Sequence, residues 1–466
     1  MTLETGRSPA TTLGSLPALL GLVVLLRLLL ALWVWSASGP SGFIGADTSS
    51  YVAPAESLLH GSFSSYDGQP EIFRTPGYPI LLLPAVISDH FATAVFLENL
   101  ILSLASAWLV FLITRNISPG FSAGKWAIAL YAFEFLGLLY SVKALSETLF
   151  CTQILFFAWL FLRFLKRPAF TTLVLSAVAL SWATYTRPVG LYLGPILVPL
   201  LVFMPRNLPL KKRVLNALVF PMVLALTLAP WFSRNSSVAG YRGFSAAGDY
   251  VLYFYTAASV QAHLEHKGLL QMQEELGFGG LPYVKNDVYL RTHPEQQTSS
   301  PGQIVRYWHS ETNRIFREHP LSFVVVHLRG SVTLLLDPGA TELLKTLGAY
   351  PDRGGLMARS IDHGFVAAAI WLIRQYPWVV PALLIAGFQM IAYATLSIAG
   401  LFRMPRDAMV FLVVLVSYLV LASGGPAATG RYRTPVMPFV CVAAGVAIQA
   451  WRERKVLKSS NTAASV

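Results

Sequence analysis

The chain has 466 residues, of which 55% are hydrophobic and only 12% charged, with a formal net charge of +12. Soluble domains carry about 25% charged residues, so half that share, with repeated apolar runs of about 18 residues or more, excludes a water-soluble fold and reads as a polytopic α-helical membrane protein. The basic excess does not point to nucleic acid: Lys and Arg gather in short loops between the apolar runs, where they set orientation and attract anionic headgroups.

The first predicted span covers about 16–37 and holds Arg27, which either snorkels, pairs within the bundle or has a functional role. No small-residue cleavage site follows it, so it reads as a retained anchor. Residues 39–79 form a polar, aromatic-rich first outer loop. The apolar stretch 79–88 is too short to cross and is expected to dip into the interface. Further spans are expected at about 91–113, 124–141, 146–164, 169–185, 188–204 and 214–232.

A long stretch of mixed polarity, 233–376, follows, with helical patches such as 302–319. Segment 321–336 is apolar but short, and His327 and Arg329 sit in its middle. Were it to cross, Arg403 and Arg406 would fall outside and the later charge pattern would invert. It is therefore expected to be a helix at the outer leaflet that returns on the same side. The last three spans are expected at about 377–402, 407–423 and 434–451. The basic loops 115–125, 163–168, 205–213, 403–406 and the tail then lie inside, which gives about ten spans with both termini in the cytoplasm. Three regions result: an N-terminal transmembrane module (1–232) carrying the first outer loop, an outer loop region (233–376), and C-terminal transmembrane helices with a cytoplasmic tail (377–466).

The two cysteines, Cys151 and Cys441, lie in apolar runs and suggest neither a disulfide framework nor a metal site. The histidines make no metal-ligand spacing, and neither a D-x-D, a P-loop nor a G-x-S-x-G occurs. No metal and no cofactor is expected.

Chemistry is suggested by the charges outside the basic loops. Asp47, Arg74, Lys143, Glu147, Arg187, Arg234, Arg431 and Arg433 all fall at the outer ends of predicted spans. Cationic side chains are disfavoured there by orientation alone, so together they suggest one anion-binding cavity at the outer face. Asp47 admits two readings: N-cap of a helix running to about His60, or a general base ionised beside a helix N-terminus. Glu147 is either a first-turn carboxylate, with Ser146 or Thr148 capping, or a carboxylate facing the cavity.

Four stretches resemble the GT-C superfamily of membrane glycosyltransferases, in the branch of the dolichyl-phosphate-mannose-protein mannosyltransferases and the lipid A aminoarabinose transferases. They are GADTSSYVAPAESLLHG, FRTPGYP, APWFSRN and GRYRTPVMP, in that order along the chain. The resemblance implies a GT-C fold with outer juxtamembrane helices, and transfer of a sugar, with inversion, from a polyprenyl-phosphate donor to an acceptor hydroxyl outside the cytoplasmic (inner) membrane. The donor is a co-substrate; the acceptor is a glycan, a lipid or a protein. Asp47 matches the catalytic carboxylate and Arg74 the residue on the lipid phosphate. Tyr51 and Tyr78 match the tyrosines of the first-loop and turn motifs, and Arg234 and Arg431 stand at positions suited to phosphate or sugar. The sequence departs from many bacterial relatives in having Thr48, not an acidic residue, after Asp47. Two alternatives remain open: a flippase or transporter of lipid-linked sugars, and a glycan ligase or polymerase using a pyrophosphate-linked donor.

Overall fold

Every predicted span is helical in the computed structural model, which describes residues 14–280, 286–346, 359–360 and 363–464. Helix α1 (Leu16–Ser38) stops at Gly39, whose φ of 58° no β-carbon-bearing residue adopts cheaply, ahead of Pro40. The loop 39–79 then builds α2 (Thr48–Leu59), and the segment expected to dip into the interface is two short helices, α3 (Gly77–Leu81) and α4 (Leu83–Ile87). Helix α5 (Phe91–Ile117) follows. The third predicted span is broken into α6 (Phe121–Phe133) and α7 (Phe135–Tyr140) at Glu134, whose carboxylate accepts from the Leu136 and Gly137 amides at the start of α7.

Next come α8 (Glu147–Lys166) and α9 (Phe170–Thr186). Arg187 precedes Pro188, which disfavours helical backbone, and its extended φ/ψ of −136°/119° ends α9 and carries its side chain off the helix. Helices α10 (Leu193–Phe203) and α11 (Leu210–Ala239) complete the first half, with Gly240 left-handed at the end of α11.

The stretch 233–376, expected to lie outside, is also helical where it is described: α12 (Ala247–Val251), a π-helical turn (Leu252–Ala257), α13 (Ala258–Leu264), α14 (Leu269–Glu275), α15 (Asp287–Thr292), α16 (Pro301–Glu318), α17 (Pro320–Leu336), α18 (Ala340–Thr346) and α19 (Phe365–Gln375). Its core is aromatic: Tyr250, Tyr253 and Phe254 pack with Phe278, Tyr307 and Trp308, and with Phe73 from the first loop. The segment expected to lie at the outer leaflet is α17, bent 106° from α16. The last helices are α20 (Val379–Leu401), α21 (Arg406–Ala422) and α22 (Met437–Ala464). Among the described residues the only β feature is a bridge between Ser64 and Pro70.

Among the described residues, five helices are long and apolar enough to cross a membrane unaided: α1, α5, α8, α11 and α20. The other predicted spans are shorter, broken or end in charge. Helices α9 and α21 have 17 residues each and reach about 26 Å at 1.5 Å per residue, a little under a hydrocarbon core of about 30 Å. Helix α8 is the axis of the bundle, buried along nearly its whole length. Phe157 and Phe161 on it stack against Phe411 of α21 and Phe220 of α11. Arg27 does not snorkel. It is fully buried, lies 5.1 Å from the Tyr131 ring and donates to the Val23 carbonyl. Cys151 and Cys441 are buried free thiols.

Candidate active site

One end of the bundle gathers the end of α1, the starts of α8 and α22, and the end of α9. The first loop is fastened across it. The Phe43 carbonyl accepts from the Ala144 amide at 2.8 Å, and the Thr48 hydroxyl donates to the Ala144 carbonyl at 2.8 Å. Gly77 lies against the end of α9, where a β-carbon would come within 2.5 Å of the Thr186 hydroxyl and 2.7 Å of the Tyr185 carbonyl. The buried Glu71 carboxylate accepts from the Phe73 and Arg74 amides, folding the turn that aims Arg74 inward.

Asp47 stands at the N-cap position of α2, yet its carboxylate makes no capping bond. Oδ1 accepts from Arg74 at 2.9 Å and Oδ2 from Arg431 at 2.5 Å. The capping reading of Asp47 is thereby replaced; Ser50 donates to the Asp47 carbonyl and accepts from Arg74. The Arg431 guanidinium also donates to Glu147, whose same oxygen accepts from Arg187 at 2.8 Å. The result is a continuous chain, Arg74–Asp47–Arg431–Glu147–Arg187. Three guanidiniums face two carboxylates, and one positive charge is left over.

Exposure differs along the chain. The Asp47 side chain is 31% exposed, whereas that of Glu147 is 0% exposed and its second oxygen has no partner among the described residues. Burial works to raise the pKa of Asp47. The Arg431 and Arg74 guanidiniums outweigh it and hold the carboxyl well below the usual range. Ser146 and Thr148 do not cap α8; the Ser146 hydroxyl meets that of Tyr51 at 3.1 Å, and Thr148 bonds the Tyr140 carbonyl.

Of the ten residues singled out in the sequence, seven converge here. Tyr51 accepts from Arg74 at 3.2 Å and lies under its guanidinium, and Tyr78 braces the Tyr51 ring edge-on. The other three hold main chain instead. Lys143 donates to the Gly42 and Ile44 carbonyls beneath the loop, and burial lowers its pKa to about 8. Arg234 donates to the Glu71 and Phe63 carbonyls. Arg433 donates to the Leu334 and Leu335 carbonyls at the end of α17.

Three tyrosines escaped the sequence reading. Tyr255 is pushed up to about 12 by burial and by neighbouring Tyr432 and Asp47. Tyr432 is likewise raised by burial, with Arg431 opposing and Asp47 adding to the rise, and Tyr250 feels both Arg74 and Asp47. All three feel the charge of Asp47, and their hydroxyls have no hydrogen-bond partner among the described residues. The π-helical turn that carries Tyr255 is a cue, since such turns cluster at functional sites. In the sequence it reads only as an aromatic run. Among the described residues no three His, Cys, Asp or Glu side chains converge as metal ligands.

No family model matches the chain, and no curated protein does. Solved structures do. The Archaeoglobus fulgidus oligosaccharyltransferase, tethered to an acceptor peptide with an NVT sequon, superposes with a TM-score of 0.51 at 13% identity, over 95% of this chain and 50% of that one. Its apo form gives 0.51 and 13%, over 96% and 52%. ArnT from Cupriavidus metallidurans, bound to undecaprenyl phosphate, gives 0.39 at 14% identity, over 91% and 77%. The chain thus spans about half the length of the archaeal enzyme. With that likeness and its apolar helices, it is a multi-pass membrane protein of GT-C fold.

Proposed function

We propose that the protein is a glycosyltransferase that moves a sugar from a polyprenyl-phosphate donor to an acceptor hydroxyl at the outer face of the cytoplasmic membrane. The observation that carries this reading is the half-open Asp47 clamped between Arg74 and Arg431. The leaving group is a phosphate that gains charge as the anomeric C–O bond breaks, and fixed guanidiniums stabilise that charge. Arg74 and Arg431 serve here, with Arg187 behind them. Glu147 is a positioning residue: being sealed from solvent, it orients Arg431 and Arg187 and touches no open space.

Asp47 takes the acceptor's proton as its oxygen attacks the anomeric carbon. Clamped by two arginines it is a weak base. The donor phosphate competes for the same guanidiniums, and as they turn to it the carboxylate regains basicity. Donor binding and activation of the base are thereby one event. A single displacement inverts the anomeric centre, in keeping with one carboxylate on the open side. Tyr250, Tyr255 and Tyr432 offer free hydroxyls to the sugar.

Asp47→Asn tests the reading in membranes supplied with radiolabelled undecaprenyl-phosphate sugars. Transfer falls about 10²–10⁴-fold, the range for loss of a general base. Donor affinity holds or improves, because the phosphate no longer competes with a carboxylate. Undiminished transfer overturns the assignment of the base.

A further inference from the structure

Arg431 reaches Asp47 and Glu147 from a single 3-10 helical turn, Gly430–Arg433. The first amides of such a turn find no acceptor within it. The local candidate to hold them is Thr429 at the N-cap position, but its side chain makes no capping bond. The cap comes instead from 93 residues back along the chain: Asp337 Oδ2 accepts from the Gly430 amide at 2.6 Å.

The sequence around Asp337 prepares it for this bond. Asp337 ends α17 in extended backbone (φ −69°, ψ 114°), the conformation that Pro338 imposes on the residue before it. Its Oδ1 accepts from the Gly339 amide at 2.9 Å. The carboxylate is thereby locked in its own turn, with Oδ2 left for Gly430. The approach is close: a β-carbon at Gly430 would lie 2.9 Å from the Asp337 carbonyl oxygen and 3.1 Å from Oδ2. On the other flank, the Thr434 hydroxyl donates to the Arg431 carbonyl at 2.7 Å. The backbone of Arg431 is thus held on one side by its own chain and on the other by a carboxylate at the end of α17.

We infer that Asp337 is a positioning residue: by capping the turn at Gly430 it fixes the Arg431 guanidinium between Asp47 and Glu147, and so sets the grip of the site on a lipid phosphate. The inference rests on the glycosyl-transfer reading for the phosphate that Arg431 takes up. Arg431 serves two carboxylates with different nitrogens at once, and a misplacement of about 1 Å at such a site costs up to about 100-fold. Arg433 joins the same two segments through the Leu334 and Leu335 carbonyls, yet its loss leaves the Gly430 amide capped. It therefore separates a weakened seam from a displaced Arg431.

The test uses the purified full-length protein in phosphatidylcholine nanodiscs, with undecaprenyl phosphate as the probe. In Asp337→Ala, hydrogen–deuterium exchange at Gly430 speeds up and the probe binds about 10-fold more weakly, the order of one lost hydrogen bond to a charged group. Gly430→Ala pries the same bond open from the other side and gives both shifts; it carries the test if Asp337→Ala does not fold. Arg433→Ala lowers Tm at unchanged probe affinity. In an Arg431→Lys background Asp337→Ala weakens the probe by less than about 2-fold more, because the two changes act through one group. Wild-type affinity in Asp337→Ala and Gly430→Ala overturns the assignment. So does equal weakening in Arg433→Ala, or a full further loss in the Arg431→Lys background. Failure of the transfer reading has a separate signature: Asp47→Asn transfers sugar normally while Asp337→Ala still weakens the probe.

Discussion

Arg431 and Arg433 stand two positions apart in the same short turn and do opposite jobs. Arg431 bridges Asp47 and Glu147 with different nitrogens, a geometry that one ammonium cannot reproduce. Arg431→Lys leaves a carboxylate without its charged bond, worth about 1.5–3 kcal/mol, so the donor KM rises roughly 10- to 100-fold. Arg433→Ala removes only the bonds to the end of α17. It lowers Tm by an amount equivalent to about 1–3 kcal/mol and leaves donor KM unchanged; steady-state kinetics beside thermal melts separate the two. Lys143 supplies a pH signature. Its amine titrates at about 8 in the fold because it is buried, against 10.5 in an unfolded chain. Between those values the unfolded chain holds more protons, so stability rises with pH across that window and is flat below it. Denaturant titrations of wild type and Lys143→Met at pH 7, 9 and 10 show the wild type gaining on the variant as pH rises, and equal shifts at all three values contradict the assignment. At this scale the sequence is informative only up to a point. Arg74, Arg187, Arg431, Lys143, Arg234 and Arg433 break the same sorting rule and look alike in one dimension. What each faces, carboxylate or carbonyl, is decided by how the loops fold over the bundle. Asp47 shows the same limit: local pattern favours a cap, and two arginines 27 and 384 residues away claim its oxygens.

Helix ends, not helix interiors, build the site. Pro188 stops α9 where Arg187 is needed, and Gly77 lets the Arg74 turn lie flush on that end. Gly77→Ala forces the turn away from Thr186. The cost is about 1–3 kcal/mol of stability, as for other overpacked sites, and the displaced Arg74 loosens its hold on Asp47. A fall in both Tm and kcat/KM is expected, and full kcat/KM at lowered Tm would separate the turn from the chemistry. The stop before Pro188 was legible, because proline acts through local backbone geometry; the fit of Gly77 was not, because it depends on the end of a distant helix. The break between α6 and α7 was not. Residues 124–141 read as one apolar run, but the Glu134 carboxylate draws the Leu136 and Gly137 amides into a new helix start. The 106° corner between α16 and α17 has a local cause in His319–Pro320, and its direction comes from packing on α13 and the 424–430 loop.

The two ends of the whole bundle treat their charges differently. At the Asp47 end, Arg74, Arg187, Arg234, Arg431 and Arg433 are each tied to a carboxylate or a carbonyl from a distant part of the chain. At the other end, Lys166 bonds the Asn116 carbonyl and Arg452 lies over Trp126, while Arg206 sits exposed in the short loop before α11 and Lys211 and Lys212 in its first turn. A short, exposed basic stretch at the end opposite Asp47 fits an orientation in which that end faces the cytoplasm. Cysteine labelling measures this directly, and the two native thiols, both buried, give a quiet background. Ser62→Cys, in the exposed first loop, and Gln297→Cys, in the outer region, should react with a membrane-impermeant maleimide in intact cells. Asn207→Cys, in the basic loop between α10 and α11, should react only after permeabilisation. Leu321→Cys and Leu336→Cys, at the two ends of α17, should both react from outside, because a helix that returns on one side exposes both ends to it. Labelling of Leu336→Cys only after permeabilisation would make α17 a crossing helix. It would also move Arg403 and Arg406 to the outer face, against the sorting that the other basic loops obey.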